Sequence, residues 1–192
     1  MHQEIEIEFK NLLTKEEFNK ICDRFSLSED DFILQENHYF DSEDFALKNK
    51  GCALRIRKKK SSYEMTLKQP AEEGLLETNE ILSEEEAKAI IASSRIPEGT
   101  IAKIIREELQ IAPESVIYFG SLSTRRAETD YEGGLLVIDH SMYLNNEDYE
   151  LEYEVSNFSA GQKIFLDLLK TLNIPARQTD NKIKRFYTAK YK

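Results

Sequence analysis

Apolar and charged positions alternate with period two through Glu4-Ile5-Glu6-Ile7-Glu8-Phe9-Lys10, which predicts a strand with one apolar face and one face of carboxylates ending in an ammonium. The alternation returns in Leu54-Arg55-Ile56-Arg57-Lys58-Lys59, where Arg55, Arg57 and Lys59 share a face. It returns again in Tyr149 to Val155, where Glu150, Glu152 and Glu154 oppose Leu151, Tyr153 and Val155. Between Tyr63 and Gln69, Met65 and Leu67 take one side, and Glu64, Thr66 and Lys68 the other. Further strands are expected at Leu34 to Asp41, Cys52 to Lys60, Leu75 to Leu82, Val116 to Thr129 and Leu135 to Met142. The expected turns are Ser61-Ser62, Pro70 to Gly74, Glu132-Gly133-Gly134 and Asn145-Asn146.

Helical spacing is confined to shorter stretches. Thr14 followed by Glu16 and Glu17 reads as an N-cap with an acidic first turn, ahead of a stripe of Phe18, Ile21 and Phe25. Ser83-Glu84-Glu85-Glu86 opens a second helix, Thr100 to Leu109 reads as a third between Pro97 and Pro113, Ser159 to Leu172 as a fourth, and Asp180 to Ala189 as a short last one. The helices at 83–109 form an insertion between two sheet halves. No internal repeat, linker or low-complexity tract appears, so the 192 residues are expected to make a single domain of antiparallel strands with peripheral helices.

Composition narrows the chemistry. A formal net charge of −10 disfavours nucleic acid and anionic membranes as partners, while leaving room for a small anion in a locally cationic pocket. No apolar run approaches the ~20 residues needed to span a bilayer, and the start of the chain lacks a signal-peptide pattern, so a soluble, cytoplasmic protein is expected. Cys22 and Cys52, with His2, His38 and His140 scattered singly, give no zinc spacing and no disulfide framework, so any metal should be a hard cation held by oxygen. No glycine-rich phosphate loop is present, and no Ser or Cys stands in a nucleophile setting.

Stacked carboxylates repel, so the row Glu4, Glu6, Glu8 requires a divalent metal, a facing row of Arg and Lys, or water and salt. One wet face is the ordinary state of an antiparallel sheet. Helices, however, need an apolar sheet surface to cover, which sends the charged faces inward, where desolvated charges must be paired.

At this point the sequence resembles the CYTH superfamily, the triphosphate tunnel metalloenzymes, and most of all its small members from Gram-positive bacteria. Glu6-Ile7-Glu8-Phe9-Lys10 matches the opening Glu-x-Glu-x-Lys signature. Leu54-Arg55-Ile56-Arg57, Leu67-Lys68, Thr124-Arg125-Arg126, Asp139, Glu150-Leu151-Glu152-Tyr153-Glu154 and Asn181-Lys182-x-x-Arg185 follow in order. The resemblance implies an α+β chain built on an eight-stranded antiparallel barrel, open as a tunnel, that binds a small-molecule triphosphate with Mg2+ or Mn2+. Members hydrolyse inorganic triphosphate, thiamine triphosphate or nucleoside triphosphates, and some cyclise ATP. Carried across, Glu6, Glu8, Asp139, Glu152 and Glu154 would hold metal, and Lys10, Arg55, Arg57, Lys68, Arg126, Lys182 and Arg185 would bind phosphate oxygens, with Glu6, Glu8 and Lys10 catalytic. Glu4, Lys59 and Glu150 are placed at the tunnel mouth, and the inward choice between Arg125 and Arg126 rests on one residue of register. Glu77-Thr78-Asn79 departs from a second Glu-x-Glu expected there. The leading expectation is a metal-dependent triphosphatase, monomeric or homodimeric; an adenylate cyclase or a non-catalytic polyphosphate or nucleotide binder would use the same tunnel.

Overall fold

The computed structural model describes residues 2–191. Eight strands, β1 (His2–Leu13), β2 (Ile33–Ser42), β3 (Ala53–Lys59), β4 (Ser62–Pro70), β5 (Leu75–Leu82), β6 (Val116–Tyr131), β7 (Gly134–Tyr143) and β8 (Asn146–Val155), close into a barrel in the order β1-β5-β4-β3-β2-β6-β7-β8. The helices are α1 (Lys15–Arg24), α2 (Ala46–Asn49), α3 (Glu84–Ser93), α4 (Thr100–Lys103), α5 (Phe158–Thr171) and α6 (Lys182–Lys190). The expected α+β barrel with peripheral helices is therefore the fold. No helix among the described residues is long and apolar enough to cross a membrane.

The chain divides into two compact units: Glu36–Ser121 with the start of β1, and Glu6–Gln35 with the chain from Leu122 onward. In the second unit, β6, β7, β8 and β1 pair antiparallel, and opposite residues share a face. On one face Leu136 lies opposite Tyr153 and Ile138 opposite Leu151. These side chains pack with Ile21 of α1 and with Phe165, Leu168 and Leu169 of α5 into one apolar core. α1 begins in a capping box, Thr14 accepting from the Glu17 backbone N–H at 3.2 Å and Glu17 accepting from that of Thr14 at 2.8 Å. In the first unit, Leu54, Ile56, Met65 and Leu67 form the apolar side of β3 and β4 and pack with Ala87 and Ile90 of α3 and with Ile101, Ile104 and Ile105.

Three local expectations are corrected, the first being the turn expected at Ser61-Ser62, which is Lys60-Ser61 because Lys59 pairs with Ser62. The stretch read as a helix from Thr100 to Leu109 is α4 followed by a π-helical turn, Ile104–Glu108, in which the Leu109 N–H reaches back five residues to Ile104 at 3.0 Å. The wider turn lets the neighbours Ile104 and Ile105 both be buried along with Leu109. The turn expected at Asn145-Asn146 is Leu144-Asn145, both at positive φ (48° and 62°), because Tyr143 pairs with Asn146 and only two residues remain for the hairpin connection.

Candidate functional site

Parity along the paired strands gathers the charged residues of the second unit on the face opposite its apolar core. Arg126 lies across from Asp139, Asp139 across from Glu150, Glu152 across from Lys10, and Glu154 across from Glu8. The choice between the adjacent arginines is settled by register. Arg126 is buried, whereas Arg125 turns outward to pair with Glu29 and lies over the Phe32 ring.

The buried charges form a closed network. Arg126 holds Asp139 with two bonds, Nε to Oδ1 at 2.8 Å and Nη2 to Oδ2 at 2.6 Å, and gives a third to Glu152 Oε2 at 2.7 Å. The Lys182 ammonium stands 2.8 Å from Asp139, 2.6 Å from Glu150 and 2.5 Å from Glu152. Arg185 reaches Asp148 through Nε at 2.9 Å and Glu150 through Nη2 at 2.8 Å, and Tyr143 donates to Asp148 at 2.7 Å. Burial alone would raise the Asp139 and Glu152 carboxyls; Arg126 and Lys182 outweigh it and hold Asp139 below, and Glu152 well below, the ordinary carboxylate value. Burial works against the charge of Lys182 and Arg126 too, and the facing carboxylates hold both well above their usual values.

The residues that deliver Lys182 are themselves anchored. The segment between α5 and α6 is pinned to β1: Asn11 donates to the Pro175 carbonyl at 3.1 Å and accepts from the Arg177 N–H at 2.6 Å, and Thr179 accepts from the Leu12 N–H at 2.9 Å. Asn181 then caps α6 by accepting from the Lys184 N–H at 2.9 Å.

Glu154 behaves differently from its neighbours. Its carboxyl is pushed up to about 7, by burial first and then by Glu6, Glu152 and Glu8, against the pull of Arg126. Lys10 pairs with Glu8. Glu152 is met by Arg126 and Lys182, whereas Glu154 stands beside Glu6, Glu152 and Glu8 with the Arg126 pull outweighed. A donor set of this kind fits a hard divalent cation.

In the first unit the polar face of β3, β4 and β5 carries Arg55, Thr66 and Asn79 in one row, and Lys68 and Glu77 in the next. Lys68 meets Glu77 at 2.5 Å, Thr66 donates to Asn79 at 2.7 Å, and Arg57 Nε donates to Asn37 of β2 at 3.0 Å. Arg55 Nε is buried without a hydrogen-bond partner among the described residues.

These arrangements can be compared with known proteins. The model of the CYTH domain matches residues 4–187. The chain belongs to the CYTH family. Over its full length it is 52% identical to the Bacillus subtilis protein named "Putative triphosphatase YjbK", covering 99% of that protein. A Bacillus halodurans crystal structure described as a putative adenylate cyclase is 45% identical, with a TM-score of 0.94 over 97% of this chain and 100% of the other. The Hippeastrum protein HpAC1, described as having a dominant triphosphatase activity, shares the fold at 23% identity and a TM-score of 0.80, over 96% of each chain.

Against the family motif, the structure brings Lys10, Arg126, Asp139, Glu152, Lys182 and Arg185 into one network with Glu150. Glu150, expected at the mouth, is instead fully buried, because Lys182 and Arg185 of α6 pack over it. Sequence reasoning assigned no role to Asn37, Thr66 or Asp148, although each shares a strand face with a charged residue it did single out. Glu77, the surviving acid of the departed motif, is occupied by Lys68.

Proposed function

We propose that this CYTH protein is a divalent-metal-dependent hydrolase of a triphosphate compound. The observation that carries the reading is the crowding of carboxylates on one charged face: Asp139, Glu150 and Glu152 are met by Arg126, Lys182 and Arg185, whereas the Glu154 carboxyl, beside Glu6, Glu152 and Glu8, is pushed up to about 7. The relationship to a protein named as a triphosphatase supports it.

Glu6, Glu8 and Glu154 would hold Mg2+ or Mn2+, which when bound neutralises charge on phosphate oxygens and acidifies a bound water. Lys10, beside Glu8, supplies a fixed ammonium that neighbouring glutamates keep charged: burial works against the charge and is outweighed by Glu8, Glu152 and Glu150, so its pKa is raised. Arg126 is held rigidly by Asp139 and Glu152, so its charge does not reorganise during reaction. On β3 and β4, Arg55, Arg57 and Lys68 are the cations assigned to phosphate oxygens, and the buried, unpartnered Nε of Arg55 is the donor most in need of an acceptor. Water attacks the terminal phosphorus, the anhydride P–O bond breaks, and the diphosphate portion leaves carrying the new charge.

Glu6→Gln removes one oxygen donor charge while keeping the shape. Phosphate release from inorganic triphosphate, thiamine triphosphate and ATP, screened with Mg2+ and Mn2+, is expected from the wild type and lost in E6Q; undiminished turnover in E6Q refutes the assignment. The name of the Bacillus halodurans relative motivates a cyclase reading, which cyclic AMP among the products from ATP would select.

A further inference from the structure

Asp139, Glu150 and Glu152 look, by proximity, like a metal site, since one carboxylate oxygen from each lies within 4.8 Å of the others. Their donors and acceptors tell otherwise. The Lys182 ammonium stands within ion-pair distance of all three carboxylates, at 2.8, 2.6 and 2.5 Å, and donates a hydrogen bond to Glu152. A guanidinium has five N–H donors, and Arg185 places all of them: Nε and Nη2 on Asp148 at 2.9 and 3.2 Å, Nη2 on Glu150 at 2.8 Å, and Nη1 on Glu150 at 3.4 Å and on the Asp180 carbonyl. Arg185 has no donor left for a phosphate, and Lys182 is enclosed by three carboxylates. Arg126 has a donor left. Its Nε and both hydrogens of Nη2 are taken by Asp139 and Glu152, while Nη1 meets no acceptor among the described residues, in a side chain only 9% exposed.

We infer that the Asp139–Glu150–Glu152 cluster is a seat for the Lys182 ammonium and not a metal site, and that Asp139 is a positioning residue that turns the open Nη1 edge of Arg126 toward a phosphate oxygen. The second half rests on the triphosphatase reading; the first does not. The seat is stable as drawn, because each buried carboxylate meets at least two cationic donors, and a buried charge without a partner is what a fold avoids. A divalent ion entering it would have to evict an ammonium that the pinned 173–181 segment and the Asn181 cap hold in place. Lys182 and Arg185 then contribute a fixed positive charge behind Arg126 and make no contact with substrate.

The test uses the whole chain and two probes, Mn2+ alone, counted by electron paramagnetic resonance, and tripolyphosphate, followed by calorimetry and by turnover. Asp139→Asn is expected to keep Mn2+ affinity within about threefold of wild type while weakening tripolyphosphate tenfold or more, seen in KM well before kcat. Glu6→Gln is expected to leave no tight Mn2+ site. A tenfold loss of Mn2+ affinity in D139N, or a tight Mn2+ retained in E6Q, overturns the seat; unchanged tripolyphosphate affinity in D139N overturns the positioning role. Should D139N not fold, E6Q still decides the metal count. Arg126→Lys, which keeps the charge and gives up the fork, then decides the contact: tenfold weaker tripolyphosphate supports it and wild-type affinity refutes it. A wild type that hydrolyses no triphosphate undoes the proposed function but leaves the Mn2+ results to judge the seat.

Discussion

Replacing Glu154 with Gln should make the metal-free protein more stable at neutral pH, the reverse of the usual effect of altering a buried residue. The folded carboxyl titrates at about 7 against an ordinary value of 4.5, because burial and the charges of Glu6, Glu152 and Glu8 disfavour its ionised form. Below pH 4.5 both folded and unfolded chains carry the proton, and the residue contributes no pH dependence. Between 4.5 and about 7 the unfolded chain gives up the proton and the folded chain keeps it, so stability falls by ~1.4 kcal/mol per pH unit, then levels off above 7. The accumulated loss is about 3 kcal/mol, which in a domain of this size corresponds to a Tm difference of roughly 6–12 °C. Glutamine has nothing to titrate. In EDTA, denaturant unfolding followed by circular dichroism should therefore give wild type and E154Q the same stability at pH 4 and an advantage to E154Q that grows to its full size by pH 8. An E154Q no more stable than wild type at pH 8 would show that burial and the neighbouring carboxylates do not hold the Glu154 proton, and the metal assignment would lose its main support.

Adding Mn2+ to about 100 times its dissociation constant should raise wild-type stability by ~2.7 kcal/mol and leave E154Q nearly unmoved, measured by the same unfolding curves. Arg126→Ala should cost about 3–5 kcal/mol, since it strands Asp139 and Glu152 in the interior, whereas Arg125→Ala one residue away removes only a surface pair and should cost less than ~1 kcal/mol. Gly134→Ala should destabilise by about 1–3 kcal/mol, because a Cβ there would lie 2.6 Å from Tyr153 Cε2 and 2.7 Å from the Glu154 carbonyl oxygen, and backbone does not yield as a side chain does; a Tm equal to wild type would contradict that packing.

Much of this barrel was legible because strand parity is a strong signal. Glu6 and Glu8, Arg55 and Arg57, and Glu152 and Glu154 each sit two apart around an apolar or aromatic residue, so their faces follow from the alternation alone. The alternation fails in β7, where Leu135-Leu136-Val137-Ile138 is apolar throughout and hides which way Asp139 turns. It fails again at Arg125-Arg126, where both candidates carry the same charge and only the pairing with β7 separates them. The environment of Glu150 was beyond reach for another reason: it is set by Lys182 and Arg185 on α6, more than thirty residues away, and no local pattern links a helix to a carboxylate on a strand. The same distance hid the surroundings of Lys182, whose charge suggested a ligand for phosphate and whose ammonium is enclosed by Asp139, Glu150 and Glu152.

The lysine seat also bears on how the chain is made. During translation β6, β7 and β8, which supply Arg126, Asp139, Glu150 and Glu152, leave the ribosome before α6 and its Lys182 and Arg185. Until those two residues arrive, Glu150 lacks both of its ion-pair partners, and Asp139 and Glu152 have Arg126 without Lys182. The last helix made thus completes the ion pairing of the buried carboxylates, and a chain cut short before α6 leaves Glu150 without a cation.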